Sequence, residues 1–125
     1  MRVLDACNRL AVYTVNITDN PKKFNPIHAR LIGRISGEAS EIYHHARAAN
    51  LVKVENSETR CTRRTAQKRA IQLCDLLATD ICVAKGVFHL SARRVKHWTK
   101  MVDEAEELLK AWVSSDDKRY AQYKL

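Results

Sequence analysis

Turn-forming residues are scarce in this chain, with three Gly and two Pro among 125 residues. A sheet of many short strands needs frequent turns, so the scarcity argues for few connections and long helices. Long apolar runs are missing as well. Nothing matches the roughly 18-residue stretch a membrane helix needs, and no charged start leads into an apolar leader. No membrane span or signal peptide is expected, and a cytoplasmic location is. The four cysteines, Cys7, Cys61, Cys74 and Cys82, include no CxxC pair. That suits reduced thiols better than a disulfide framework or a zinc site. Acid is scarce in one place above all. Residues 60–100 hold ten of the 22 Lys and Arg but only Asp75 and Asp80, in a chain whose net charge is +8. Positive charge concentrated in this way implies a polyanionic partner, of which nucleic acid is the commonest soluble kind.

What is present is helical periodicity on a 46% apolar composition. One domain over 1–125 is expected, burying about two thirds of the surface its unfolded chain exposes. Val3, Cys7, Leu10, Thr14 and Ile17 step by four and three, predicting a first helix over about 3–18. Leu4, Ala11 and Val15 widen its face. Pro21 and Pro26 with Asp and Asn then break the pattern, and Asn25 before Pro26 is a helix start. A second helix over about 26–51 follows from Ile27, Leu31, Ile35, Ala39, Ile42, Ala46 and Ala49. Gly33 and Gly37 inside it leave room for a close neighbour. A third helix, about 59–85, carries Ala66, Ala70, Leu73, Leu77, Ile81 and Ala84, with Gly86 as its expected end. Ser91 caps a fourth over about 91–113, whose seam is Val95, Trp98, Val102, Ala105, Leu109 and Trp112. Residues 114–125 read as a frayed tail or a docking segment. Four amphipathic helices on short connections imply an all-α, up-down antiparallel four-helix bundle. Ile32, Ile71, Leu76, Val83, Leu108 and Val113 fall outside the stripes, and this surplus points to a homo-oligomer.

The chemistry-bearing residues are mainly cations. Arg60, Arg64 and Lys68 recur every four residues, with Arg63 and Arg69 beside them. Arg93, Arg94, Lys96, His97 and Lys100 surround Val95 and Trp98. Both groups stand near helix N-termini, where the macrodipole penalises each cation by a few tenths of a kcal/mol, roughly. A phosphate backbone would offset that penalty. In an up-down bundle the two groups lie at opposite ends, so the charge is expected to form a track along the molecule and not a pocket. The bland alternative is a solvated basic face that keeps the protein soluble. Nothing resembles a helix-turn-helix, a zinc finger or an aromatic strand platform, so base-specific readout is not expected. His44 and His45 lack a third ligand at helical spacing, and neither metal nor cofactor is expected. No GxSxG and no coherent nucleophile set occurs. The Arg-then-His motif of some small helical ribonucleases is absent too, since His89 precedes Arg93 and Arg94 precedes His97 by only three. No enzyme is expected.

Taken in chain order, several segments carry a resemblance. They are Tyr13-Thr-Val-Asn-Ile, Lys22-Lys-Phe-Asn-Pro, Ala49-Asn50, Arg63-Arg-x-x-Gln-Lys-Arg-Ala, Ser91 followed by Trp98, Leu109-Lys-Ala-Trp112 and Ser115-Asp-Asp-Lys-Arg-Tyr. In order and spacing the chain resembles the accessory variability proteins of diversity-generating retroelements. These are related to the four-helix-bundle proteins encoded by intervening sequences in ribosomal RNA genes. Asn25 between Phe24 and Pro26 departs from the family pattern. The resemblance implies a barrel-like homopentamer of bundles, without catalysis of its own, that binds RNA or DNA and a partner reverse transcriptase during error-prone copying of a template RNA. By motif position it assigns nucleic-acid contact to Arg63, Arg64, Lys68 and Arg69, whereas Arg60, Arg93, Arg94, Lys96 and Lys100 join them on charge alone. Two alternatives stand beside it. One is an interaction module whose basic face docks an acidic protein, and the other is an intervening-sequence bundle protein with an RNA-binding role.

Overall fold

The computed structural model describes all 125 residues and contains four long helices and no strand. They are α1 (Arg2–Thr18), α2 (Ala29–Leu51), α3 (Ser57–Phe88) and α4 (Ala92–Arg119), with a 3-10 turn at Pro26–His28 before α2. Each helix packs on its neighbour in chain order and α4 closes back on α1, leaving α1 diagonal to α3. Cross-helix partners give the direction. Arg34 near the start of α2 meets Asp80 late in α3, Arg63 early in α3 meets Asp116 late in α4, and Trp98 early in α4 meets Thr14 late in α1. These pairs run α2 against α3, α3 against α4 and α4 against α1, the arrangement of a four-helix bundle.

The buried faces follow the periodic stripes closely. Val3, Cys7, Leu10 and Thr14 of α1 lie inside with Ile35, Ala39, Ile42, Ala46 and Ala49 of α2. Ala70, Leu73, Leu77, Ile81 and Ala84 of α3 meet Trp98, Val102, Ala105, Leu109 and Trp112 of α4. Each large aliphatic side chain removed from water in this way contributes about 1.5–3 kcal/mol. Two expectations are corrected. Ile27 is 80% exposed, because it sits in the 3-10 turn where the stripe of α2 has not yet begun. The apolar surplus is also mostly absorbed within one chain: Ile32, Ile71 and Leu108 pack against the core and Val113 is buried. Of that set only Leu76 and Val83, at 41% and 44%, remain exposed.

Helix ends differ from the expected bounds for local reasons. Asn25 Oδ1 accepts from the Ile27 amide at 3.0 Å, so the inserted residue caps the turn and regular helix starts only at Ala29. Helix α3 begins at Ser57, earlier than expected, because Asn56 and Thr59 form a reciprocal capping box. Gly86 does not end it. The helix continues to Phe88, whose ring packs tilted against Phe24 with centroids 4.7 Å apart, and His89 makes the left-handed exit at φ 53°. Helix α4 runs past Trp112 to Arg119, so the first half of the expected tail is helical. Ser91 caps α4 as expected, accepting from the Arg94 amide at 3.1 Å.

Candidate nucleic-acid interface

The cationic residues divide into two groups that the fold treats differently. At the start of α3, charge is met by the end of α4. Arg63 donates to both oxygens of Asp116, at 2.6 and 3.1 Å, and Gln67 Nε2 donates to the same carboxylate at 2.8 Å. The guanidinium also lies 4.9 Å from the centre of the Trp112 ring. Only 7% of Arg63 is exposed. Arg60 binds Asp117 at 3.2 Å and the Tyr123 carbonyl, which ties down the chain beyond α4. Arg64 pairs with Asp117 as well.

The expectation that Arg60 and Arg63 belong to an outward cationic face is therefore corrected. Both are structural, and the dipole penalty at this helix start is offset by the chain's own carboxylates. Arg64 is partly satisfied and still lines a groove of about 680 Å³ with Cys61, Thr65, Lys68, Arg69, Gln72 and Leu125. Lys68 is exposed without a carboxylate within ion-pair distance, and Arg69 donates only to Gln72 Oε1, at 2.6 Å.

The opposite pole is different. Phe24 packs on Phe88 and 6.2 Å from Trp98, while Trp98 Nε1 donates to Thr14 Oγ1 at 3.0 Å. This aromatic cluster fixes the end of α1, the connection after it and the first turns of α4 together. Arg93, Lys96 and Lys100 are exposed there and Arg94 is half-buried. None of the four has a carboxylate within 4 Å, the distances of the seven ion pairs lying elsewhere. Arg93 and Arg94 line a cleft of about 380 Å³ with Tyr13, Ser91 and His97. The Tyr13 and His97 rings meet edge to face at 5.2 Å.

The same pole brings in residues that sequence reasoning passed over. Lys22 and Lys23 immediately precede Phe24, whose burial places their connection over this end of the bundle. Their signal was their position between Pro21 and Pro26, in a segment too short to lie anywhere but across the bundle's end. The track expected along the molecule is corrected too, since Asp103, Glu104, Glu106 and Glu107 of α4 lie between the two basic groups.

Elsewhere, Arg34, Glu38 and Asp80 form a cluster joining α2 to α3. Arg34 holds Asp80 through two hydrogen bonds of 2.9 Å, keeping that carboxyl below its usual range. Glu38 is pushed up to about 7, first by burial and then by the adjacent Asp80 carboxylate, which stabilises its protonated form. Burial pushes the Cys7 thiol up to about 12 and raises Cys74 as well, and no cysteine is in a disulfide. No three His, Cys, Asp or Glu side chains converge on one point. No helix is long and apolar enough to cross a membrane. No protein-family model, curated protein or solved structure matches the chain.

Proposed function

We propose that this chain is a non-catalytic nucleic-acid-binding accessory protein whose contacts are directed to phosphates. One observation carries the reading: Arg93, Arg94, Lys96 and Lys100 crowd the first turns of α4, Arg93 and Arg94 in the opening turn where the dipole disfavours them, and no carboxylate of the chain lies within 4 Å of any of the four. A phosphodiester backbone supplies the missing charge and releases its condensed counterions on binding. Lys68 and Arg69 form a second, smaller set. The working assignment is an accessory subunit of a reverse transcriptase acting with its template RNA in a diversity-generating retroelement. It rests on the resemblance of the quoted segments. The same resemblance implies a homopentamer, and residual apolar surface supports self-association. Val12 is 52% exposed beside a groove it shares with Ala11, Val15, Asn16 and Ser40, between α1 and α2.

The experiment is charge reversal at Arg93, Arg94 and Lys96, read as binding to several RNA and DNA oligonucleotides of unrelated sequence. Affinity is expected to fall for all of them alike. Undiminished binding contradicts the reading. Co-purification with and without nuclease separates the acidic-protein alternative, because a partner that survives digestion is held by protein contacts.

A further inference from the structure

Charge in this molecule is segregated along the bundle axis. The cross-helix pairs set the levels, with Trp98 opposite Thr14, Arg9 opposite Glu104, Arg34 opposite Asp80 and Arg63 opposite Asp116. One pole, residues 14–30 and 84–98, holds seven Lys and Arg against Asp19 alone. The other, residues 1–6, 43–71 and 108–125, holds twelve against five acids. Between them the waist, residues 7–13, 31–42, 72–83 and 99–107, has Arg9, Arg34 and Lys100 against eight carboxylates. Four of those eight stand on one stretch of α4, Asp103, Glu104, Glu106 and Glu107. Arg9 and Arg34 are taken up by Glu104 and Asp80. Glu41, Asp75, Asp103 and Glu107 stay exposed with no cation within 4 Å.

Each pole has its own basic cleft, and the two open on different sides. The Arg64, Lys68 and Arg69 groove lies between α3 and Leu125 of the segment after α4, whereas the Arg93 and Arg94 cleft lies where α4 meets Tyr13 of α1, the helix diagonal to α3. With Arg63 level with Asp116, Arg94 stands level with Lys85. Lys68 is then roughly 25 Å away along α3, at about 1.5 Å per residue. That is about three Debye lengths at physiological ionic strength, so neither pole senses the other's occupant through solvent. A single strand laid from pole to pole would have to cross the unpaired waist carboxylates, which repel phosphate.

Building on the phosphate-directed reading above, we infer that the two poles are separate nucleic-acid sites, so that one chain bridges two strands, or two distant segments of one folded strand. The acidic waist keeps the two occupants apart. The chemistry recognised at each pole is the phosphodiester backbone.

The test is stoichiometry per chain, measured at low salt by native mass spectrometry and fluorescence titration. The probe is a single-stranded RNA oligonucleotide too short to span both poles. Counting per chain keeps the result independent of oligomeric state. Two oligonucleotides per chain are expected. Reversal of Arg93, Arg94 and Lys96 is expected to leave one, reversal of Lys68 and Arg69 is expected to leave one, and the combination none. Alanine versions of the same exposed residues, checked by thermal melting, give the same ranking if reversal perturbs folding. One oligonucleotide per chain, lost on changing either pole, overturns the bridge while leaving phosphate binding intact. No binding by the unmodified protein instead removes the reading on which the bridge rests.

Discussion

Arg63 and Asp116 show how a cation that looks like surface charge becomes part of the interior. Both are buried, and their hydrogen bonds to each other, with Gln67 donating as well, satisfy most of what burial costs. Removing one partner leaves a buried charge unanswered, so Arg63→Met is expected to destabilise the fold by about 3–5 kcal/mol in denaturant unfolding. Adding Asp116→Leu should recover a large part of that loss, and a double variant as unstable as the sum of the singles contradicts the pairing. The pair was legible in a way that charge counting hides. Extending the stripe of α3 back from Ala70 by three and then four lands on Gln67 and Arg63, and extending the seam of α4 forward from Trp112 by four lands on Asp116. A periodic position filled by opposite charges on two helices is a buried pair in the making.

Glu38 gives the second residue-level prediction. A carboxyl whose folded pKa is raised to about 7 contributes stability that is complete below its unfolded value of 4.5 and is lost as pH rises through 7. Asp80, lowered by Arg34, works in the opposite sense and only in acid below 3.8. Glu38's share of the stability is therefore expected to decline between about pH 5 and pH 8, and the melting temperature of Glu38→Gln should fall less, or rise more, across that range than that of the unmodified protein. An equal slope in the variant would assign the titration to another group. Nothing in the sequence marks Glu38, because its neighbour Asp80 is 42 positions away.

At the scale of the elements, interiors were legible and ends were not. Stripes of three and four residues found every helix, since burial of one face dominates local preference. Ends depend on contacts made by other parts of the chain. Helix α3 passes Gly86 because Phe88 has Phe24 to pack on, and α4 passes Trp112 because Asp116 and Asp117 have arginines to meet. His89 then takes a left-handed backbone that disfavours side chains by about 1–2 kcal/mol, so His89→Gly is expected to raise stability by about 1 kcal/mol. At Gly86 an added Cβ meets nothing within 4 Å, and Gly86→Ala should stabilise by a similar amount, about 1 kcal/mol. Loss of stability in either variant would place the end of α3 elsewhere.

At the scale of the whole molecule, the excess of positive charge in residues 60–100 is real but divides in the fold. Arg60, Arg63 and Arg64 face Asp116 and Asp117, more than fifty positions later in the chain, a pairing no local count detects. What remains unanswered is at the two poles, and most plainly at the start of α4. The most direct measurement is the affinity for a single-stranded oligonucleotide across a salt series, in the unmodified protein and in the Arg93, Arg94 and Lys96 alanine variant. The unmodified protein is expected to lose affinity log-linearly, and the variant to bind more weakly with a shallower slope, by about 0.7 for each phosphate contact removed. Affinity indifferent to salt, or an unchanged slope in the variant, would contradict a phosphate-directed interface at that pole.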